Sequence, residues 1–255
     1  MSLLEIKNLS VNFGGLKALS DFSLSLNQGD LIGLIGPNGA GKTTTFNIVT
    51  GVYRPTTGQV LLNNRSISGR KPFRINRLGI ARTFQNIRLF SELSVLDNVI
   101  VGFNQSIGHS FLGAVLRSPK HTREDRSHER DAMDLLETFG IADRAHDLAT
   151  NLPYGSQRRL EIARALATRP KVLLLDEPAA GMNPHEKQDL IRLIRFVREK
   201  FQIGIWLIEH DMKLVMSICD RITVLDHGET IAEGPPAQIQ CHPKVIEAYL
   251  GEPTH

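Results

Sequence analysis

The sequence predicts an α/β protein built on a parallel sheet, with a small antiparallel β layer before it and a helical insertion. The evidence for the parallel sheet is a repeated order of strand and helix. Short apolar runs occupy residues 31–35, 172–175, 204–208 and 221–225, and helical patterns occupy residues 43–49, 184–200 and 212–218. Strands that are separated by helices indicate a parallel sheet with right-handed crossovers.

Two other regions do not follow this order. Residues 3–13 and 22–26 show alternating apolar residues interrupted by Asn, Gly and Asp, which is typical of antiparallel strands and their turns. Between residues 91 and 169, a stretch that Gly and Ser interrupt (104–118) precedes helical periodicity in residues 131–139 and 158–167. We therefore expect an inserted, mostly helical subdomain. The tail, 236–250, shows two short helical patterns, each beginning after a proline.

Length and composition limit the function classes. The 255 residues have ordinary apolar and charged fractions, and no run approaches the roughly 18 to 20 apolar residues of a spanning helix. Residues 1–7 alternate like a strand and lack the regions of a secretory signal, so we expect a cytoplasmic protein of one domain. Cys219 and Cys241 lack metal-ligand spacing and predict unpaired thiols.

The charge balance gives no clear partner. A net charge of +3 and a basic pI are compatible with nucleic acid or anionic lipid. The only dense charge run, residues 121–134, alternates acids and bases as a solvated helix does. We therefore expect no nucleic-acid partner.

A phosphate-binding loop is predicted where the first parallel strand meets its helix. Residues 36–43 fit the pattern G-x-x-x-x-G-K-[ST], after an apolar strand and before a helix. Backbone N–H groups of such a loop surround a phosphate, Lys42 neutralises phosphate oxygens, and the Thr43 hydroxyl binds Mg²⁺. The candidate ATP-binding residues here are Gly36, Pro37, Asn38, Gly39, Ala40, Gly41, Lys42, Thr43 and Thr44.

Two acids end the apolar run 172–175. In open α/β sheets ligands gather at the carboxyl ends of the strands. Asp176 is therefore a candidate for holding Mg²⁺ through water, and Glu177 for polarising the water that attacks the γ-phosphate. Together with the phosphate loop, the pair predicts an ATPase core.

These and further motifs, taken in order, resemble the ABC (ATP-binding cassette) ATPases over essentially the whole chain. Thr83-Phe84-Gln85 resembles the Q-loop, which implies that Gln85 reaches Mg²⁺ and the attacking water. Ile208-Glu209-His210-Asp211 resembles the switch-histidine loop, which implies that His210 contacts the γ-phosphate. Leu152-Pro153-Tyr154-Gly155-Ser156 resembles the signature motif, with Pro153 in place of the usual serine.

Two smaller motifs also match the family. Phe13 occupies the position of the aromatic residue that stacks on adenine, although an aromatic residue that ends an early strand is equally typical of a core. Residues 180–184 occupy the place of the D-loop, with Asn183 where the family usually has Asp.

The resemblance implies a P-loop NTPase fold with a RecA-like core. Its expected parts are an antiparallel β subdomain and core in residues 1–86 and 163–235, a helical subdomain in 87–162, and a tail in 236–255. It also implies that two cassettes pair head to tail, so that each signature motif completes the partner's ATP site in trans. Residues 86–92 would receive a helix of the membrane subunit. Alternatively, Leu89 and Phe90 cap the helical subdomain's own core.

The resemblance narrows to the ATPase subunits of branched-chain amino-acid importers. It rests on residues 82–90, 159–166, 176–184, 209–216 and 248–252. It implies two permease subunits, a second cassette, a periplasmic binding protein, and a peripheral position at the cytoplasmic face of the inner membrane. Sibling cassettes for urea uptake or lipopolysaccharide export are the alternative. Pro153 offers no hydroxyl to a γ-phosphate, and we expect a heterodimer in which this chain supplies the weaker signature.

Overall fold

The protein consists of two compact units, and the first of them is formed by two separate segments of the chain. A computed structural model describes residues 2–103 and 119–250, together with the side chains of 2–103 and 127–249. One unit is formed by the residues up to Gln85 and those from Lys171 onward, and the other by Asn86–Pro170. The insertion expected at residues 104–118 lies outside the described residues.

The first unit contains an antiparallel sheet of four strands. They are β1 (Leu4–Phe13), β2 (Leu16–Leu26), β4 (Thr57–Leu62) and β5 (Arg65–Ser66), in the order β2-β1-β4-β5. Most apolar side chains of β1 and β2 are buried, at alternating positions that shift where the register of the pair is irregular, as expected for a sheet with one covered face. The two predicted opening strands are confirmed, although β2 begins earlier than the alternation at residue 22 indicated.

The same unit contains a sheet of six strands. They are β3 (Leu31–Ile35), β6 (Ile80–Arg82), β7 (Val172–Asp176), β8 (Gly204–Ile208), β9 (Arg221–Asp226) and β10 (Glu229–Gly234), in the order β10-β9-β3-β8-β7-β6. All neighbouring pairs are parallel except β9 with β10. Every residue of β3, β7 and β8 is buried, which explains their continuous apolar sequence. The predicted parallel sheet is confirmed.

Six helices belong to the described part of this first unit. They are α1 (Lys42–Val49), α2 (Pro72–Leu78), α6 (Pro184–Phe201), α7 (Met212–Ile218), α8 (Pro236–Gln240) and α9 (Pro243–Leu250). In α6 the buried residues, Leu190, Ile191, Ile194 and Val197, form one stripe at helical spacing. The two short helices expected in the tail are confirmed, and each has a proline as its first residue.

Trp206 joins the two sheets through the core of this unit. It lies fully buried on β8, stacked on Phe22 of β2 with ring centroids 6.2 Å apart. The ring of Phe46, from α1, meets it edge-on at 4.9 Å. The helix that begins at the phosphate loop is therefore held against the centre of the sheet by aromatic packing.

The second unit is helical in its described part. Its helices are α3 (Val95–Phe103), α4 (Pro119–Thr138) and α5 (Tyr154–Ala167), with 3-10 turns at Ala142–Arg144 and Ala149–Asn151. Helices α3 and α5 approach closely at Gly102, where a Cβ atom would lie 2.6 Å from the Arg164 carbonyl oxygen. The boundary expected between residues 162 and 163 falls inside α5. The unit ends at Pro170 instead, because α5 is one continuous hydrogen-bonded helix.

No helix within the described ranges has both the length and the hydropathy that a bilayer-spanning segment requires. Cys219 is buried and Cys241 exposed, and both are free. The two predicted unpaired thiols are therefore confirmed.

Candidate nucleotide-binding site

The phosphate loop lies between β3 and α1, as the sequence predicts. Gly36, Gly39 and Gly41 all have positive φ, at 151°, 82° and 103°. At Gly36 a Cβ atom would lie 2.0 Å from the carbonyl oxygen of Leu225 on β9. Only glycine fits there, so the loop can turn tightly at the end of β3 with its N–H groups available to an anion.

Lys42 is the first residue of α1 and its side chain is held inside the loop. Its Nζ donates to the carbonyl oxygens of Gly36 at 2.7 Å and Pro37 at 2.9 Å. Burial lowers the pKa of Lys42 below its ordinary value, and the nearby carboxylates of Glu177 and Asp176 oppose this shift. The ammonium is thus fixed where the loop closes, with a third N–H group to offer to a phosphate.

Asp176 ends β7 in a buried position and forms an ion pair. Its Oδ2 lies 2.6 Å from Nη2 of Arg82, the last residue of β6. The guanidinium of Arg82 also donates to Oδ1 of Asn47 at 2.8 Å, and it lies over the rings of Phe46 and Phe84. Arg82 therefore orients the carboxylate that the sequence assigned to Mg²⁺.

Gln85, Glu177 and His210, the three candidate catalytic residues, lie together. The Gln85 Nε2 donates to Oε2 of Glu177 at 2.8 Å, and Nδ1 of His210 lies 3.5 Å from the same oxygen. Glu177 has a positive φ of 44°, a strained conformation for a residue other than glycine that is common at active sites. Its N–H donates to the Ile208 carbonyl oxygen on β8 at 2.9 Å, which holds it in place.

Phe13 is exposed at the end of β1. Its ring is 44 % exposed and meets Tyr53 edge-on, with ring centroids 5.1 Å apart. The alternative that Phe13 belongs to the core is therefore wrong. Nearly half of its surface is accessible to solvent.

The signature residues begin α5 in the second unit. Pro153 is the N-cap residue, with a φ of −56° and no side-chain capping bond. Ser156 and Gln157 still donate their N–H groups to the Pro153 carbonyl oxygen, each at 2.9 Å, so the helix starts normally. Leu152 is buried, and Tyr154 is exposed.

A buried ion pair follows the signature on the same helix. Arg158 is fully buried, and its Nη1 lies 2.6 Å from Oε2 of Glu161. Glu161 Oε1 accepts the Arg88 N–H at 3.3 Å. Within this unit, α5 is therefore tied to the segment that follows the Q-loop.

Comparison with known proteins agrees with this geometry. The family model described as ABC transporter matches residues 19–180, more than half of the chain. The chain belongs to the ABC transporter ATP-binding family. It is an ATP-binding cassette, a member of the ATPases that drive transport. A second family model, described as branched-chain amino acid ATP-binding cassette transporter, matches residues 229–255 of the cassette.

Curated relatives and solved structures match nearly the whole cassette. It is 46 % identical to the high-affinity branched-chain amino acid transport ATP-binding protein LivG of Escherichia coli, over 98 % of each chain. It is 45 % identical to the corresponding protein BraF of Pseudomonas aeruginosa, again over 98 % of each chain. A solved ATP-binding cassette of an ABC transporter in its ADP conformation superposes with a TM-score of 0.85 at 32 % identity, covering 99 % of this chain and all of the other.

The residues of the cassette fit Mg²⁺ only in combination with a nucleotide. Among the described residues, no group of three or more His, Cys, Asp or Glu side chains is arranged to hold a metal ion. Mg²⁺ commonly takes one or two protein oxygens together with phosphate oxygens. Thr43 is exposed, its hydroxyl has no hydrogen-bond partner among the described residues, and Asp176 offers a carboxylate. This donor set suits Mg²⁺ bound to ATP.

Asn183 stands where the family usually has Asp, and it caps the helix that follows. Its Oδ1 accepts the N–H groups of His185 and Glu186, both at 3.0 Å, and Glu186 Oε2 accepts the Asn183 N–H at 2.9 Å. This capping box begins α6. Asparagine caps a helix as well as aspartate does, so the change preserves the local structure.

Glu209 is a site residue that the sequence-based reasoning missed. Its side chain is fully buried, its Oε1 accepts the Ala179 N–H at 2.7 Å, and its Oε2 accepts the His210 N–H at 3.2 Å. Burial raises the pKa of Glu209, and these N–H groups oppose the shift. Glu209 thus ties the histidine loop to the loop after β7. The sequence signal that could have identified Glu209 is its position directly after the fully apolar strand β8.

Proposed function

We propose that this cassette hydrolyses ATP to energise the import of branched-chain amino acids through partner permeases. The observation that supports hydrolysis is that Gln85 and His210 both lie within 3.5 Å of one carboxylate oxygen of Glu177. The match of residues 229–255 to the branched-chain amino acid family model supports the cargo, as do relatives at 45 % and 46 % identity.

Each candidate residue has a part in this proposal. Glu177 polarises the attacking water, since its carboxylate is the acceptor to which the other two side chains turn. His210 contacts the γ-phosphate, and Gln85 reaches both the water and Mg²⁺. When bound, Mg²⁺ would neutralise negative charge on the phosphate oxygens. Thr43 and, through water, Asp176 hold it.

Nucleotide binding involves the loop and one aromatic residue. The N–H groups of residues 36 and 38–44 surround the phosphates and Lys42 neutralises them, because the helix N-terminus and the ammonium both favour negative charge. Phe13 stacks on adenine, which its exposed ring permits.

The proposed assembly has two permeases and a second cassette at the cytoplasmic face of the inner membrane, served by a periplasmic binding protein. Residues 152–156 complete the partner cassette's ATP site in trans. Residues 86–92 receive a permease helix. Phe90 supports this, because it is 48 % exposed rather than part of the helical core, with Arg164 over its ring at 5.3 Å.

Uptake in cells tests the cargo. Deleting the gene for this chain is expected to abolish high-affinity uptake of radiolabelled leucine, isoleucine and valine, and the wild-type chain is expected to restore it. The Lys42→Ala variant is the control: it lacks the ammonium that neutralises the phosphates, so it is expected not to restore uptake. If the deletion left leucine uptake unchanged and abolished urea uptake, the cargo would be urea and not branched-chain amino acids.

The signature departure predicts an unequal pair of ATP sites. We expect Pro153→Ser to raise the ATPase rate of the assembled complex by about tenfold or more, because a hydroxyl returns to the trans site and one hydrogen bond to a charged group contributes about 1.5–3 kcal/mol. Serine also caps helices well. An unchanged steady-state ATPase rate would contradict both the weaker signature and its heterodimer.

A further inference from the structure

His210 lies between two acids in the short loop that joins β8 to α7. The sequence of this histidine loop is Glu209-His210-Asp211. The imidazole is mostly exposed, with its Nδ1 atom 3.5 Å from Glu177 Oε2 and 3.9 Å from Glu209 Oε2. Because so little of this side chain is enclosed, its position depends on the backbone that carries it.

Asp211 connects the histidine loop to the helix that follows the D-loop. Its Oδ2 lies 2.6 Å from Nζ of Lys187, near the start of α6. The other oxygen, Oδ1, accepts the Leu214 N–H at 3.2 Å and caps α7. The hydrogen bond from Lys187 lowers the pKa of Asp211 below its ordinary value. The carboxylate is therefore charged at neutral pH, and one of its oxygens begins α7 while the other reaches α6.

This ion pair is partly shielded from water. The side chains of Asp211 and Lys187 are 22 % and 32 % exposed. Fully exposed pairs contribute little, because water screens the charges and two long side chains must be ordered. Partial burial, a direct contact and a second hydrogen bond on the carboxylate reduce both losses. The pair can therefore restrain the loop.

The histidine loop is anchored on both sides of His210 to one stretch of chain. On one side, Glu209 accepts the Ala179 N–H at 2.7 Å. On the other side, the anchor is the ion pair of Lys187. The D-loop lies between these two anchors, and Glu177 lies two residues before the first of them. Together the anchors set the position of the imidazole relative to the Glu177 carboxylate.

We propose that Lys187 is a positioning residue for His210, and that its ion pair with Asp211 keeps the imidazole beside the Glu177 carboxylate. This inference rests on the proposed function, in which His210 contacts the γ-phosphate. Lys187 acts through Asp211 and not on the reacting atoms. Without the pair, the loop keeps only its anchor at Glu209. A displacement of about 1 Å is then sufficient to slow hydrolysis.

Steady-state ATP turnover by the assembled transporter tests this role. Lys187→Met removes the charge and keeps an unbranched side chain. We expect kcat to fall about fivefold, which corresponds to about 1 kcal/mol, the upper end for an ion pair that is not fully buried. The KM for ATP should change little, because the phosphate loop and Lys42 still bind the nucleotide. Lys187→Arg keeps the charge and should restore most of kcat.

A double-mutant cycle distinguishes the positioning of His210 from a general effect on stability. In the His210→Ala background, Lys187→Met should lower kcat no further, because the side chain that the ion pair positions is absent. Asp211→Asn removes the charge and keeps the cap on α7, since asparagine caps helices as well as aspartate does. It should lower kcat as much as Lys187→Met, and the two substitutions together should lower it no more than either alone.

Arg192→Met is the matched control. Arg192 pairs with Asp189 on the same helix, so this substitution also removes a cation and an ion pair from α6 but leaves the anchors of the histidine loop in place. Its kcat should equal that of the wild-type transporter. Urea unfolding of each variant chain, measured by the fluorescence of Trp206, shows whether it is folded.

Three results would overturn the proposal. They are an unchanged kcat in folded Lys187→Met and Asp211→Asn, an equal loss in Arg192→Met, and additive effects of Lys187→Met and His210→Ala on kcat. An unchanged kcat in His210→Ala would instead contradict the proposed function of His210 itself, and with it the need to position this side chain.

Discussion

Glu177→Gln is expected to lower ATP turnover by the assembled transporter by about 10²- to 10⁴-fold, the usual contribution of a general base. The replacement preserves shape and can keep a contact with Gln85, which lies 2.8 Å from Glu177 Oε2. It removes the proton acceptor that His210 also faces, at 3.5 Å. ATP binding should persist because the phosphate loop and Lys42 are unchanged.

Two measurements separate the loss of chemistry from the loss of binding. Steady-state phosphate release gives turnover, and retention of radiolabelled ATP on the complex should rise as hydrolysis fails. Glu199→Gln, the same substitution at an exposed position on α6, should leave both unchanged. If Glu177→Gln neither traps ATP nor slows turnover, Glu177 does not have the proposed role.

The sequence predicted those elements whose signal is local. The strands β3, β7 and β8 are apolar throughout because both faces are covered, and the phosphate loop has its pattern within eight residues. Strand β6 has only three residues and is held by pairing with β7, so no alternation marks it. Helix α2 is short and mostly exposed, which leaves no apolar stripe to detect.

Site residues that act through distant partners could not be predicted in the same way. Arg82 lies within the string that supported the family resemblance, but its partner Asp176 is 94 positions away. Glu209 accepts an N–H group from Ala179, 30 positions earlier.

Breaking the buried pair between Arg82 and Asp176 should have the largest effect on stability. Arg82→Met is expected to lower the free energy of unfolding by about 3–5 kcal/mol, because it leaves Asp176 buried without its 2.6 Å partner. Methionine keeps contact with the rings of Phe46 and Phe84, so the loss reports mainly the charge. Trp206 is the chain's only tryptophan and its ring centroid lies 4.9 Å from that of Phe46, so its fluorescence during urea unfolding measures the change.

The double variant Arg82→Met, Asp176→Leu provides the matched control. Replacing both partners of a buried pair by apolar residues is often neutral, so most of the lost stability should return. A single-variant loss of no more than about 1 kcal/mol, as for an exposed pair, would show that Asp176 does not depend on Arg82. If the free energy of unfolding recovers in the double variant while ATP turnover stays low, the pair's contribution to stability is distinct from its contribution to hydrolysis. The pair would then be required for hydrolysis even where the fold no longer needs it.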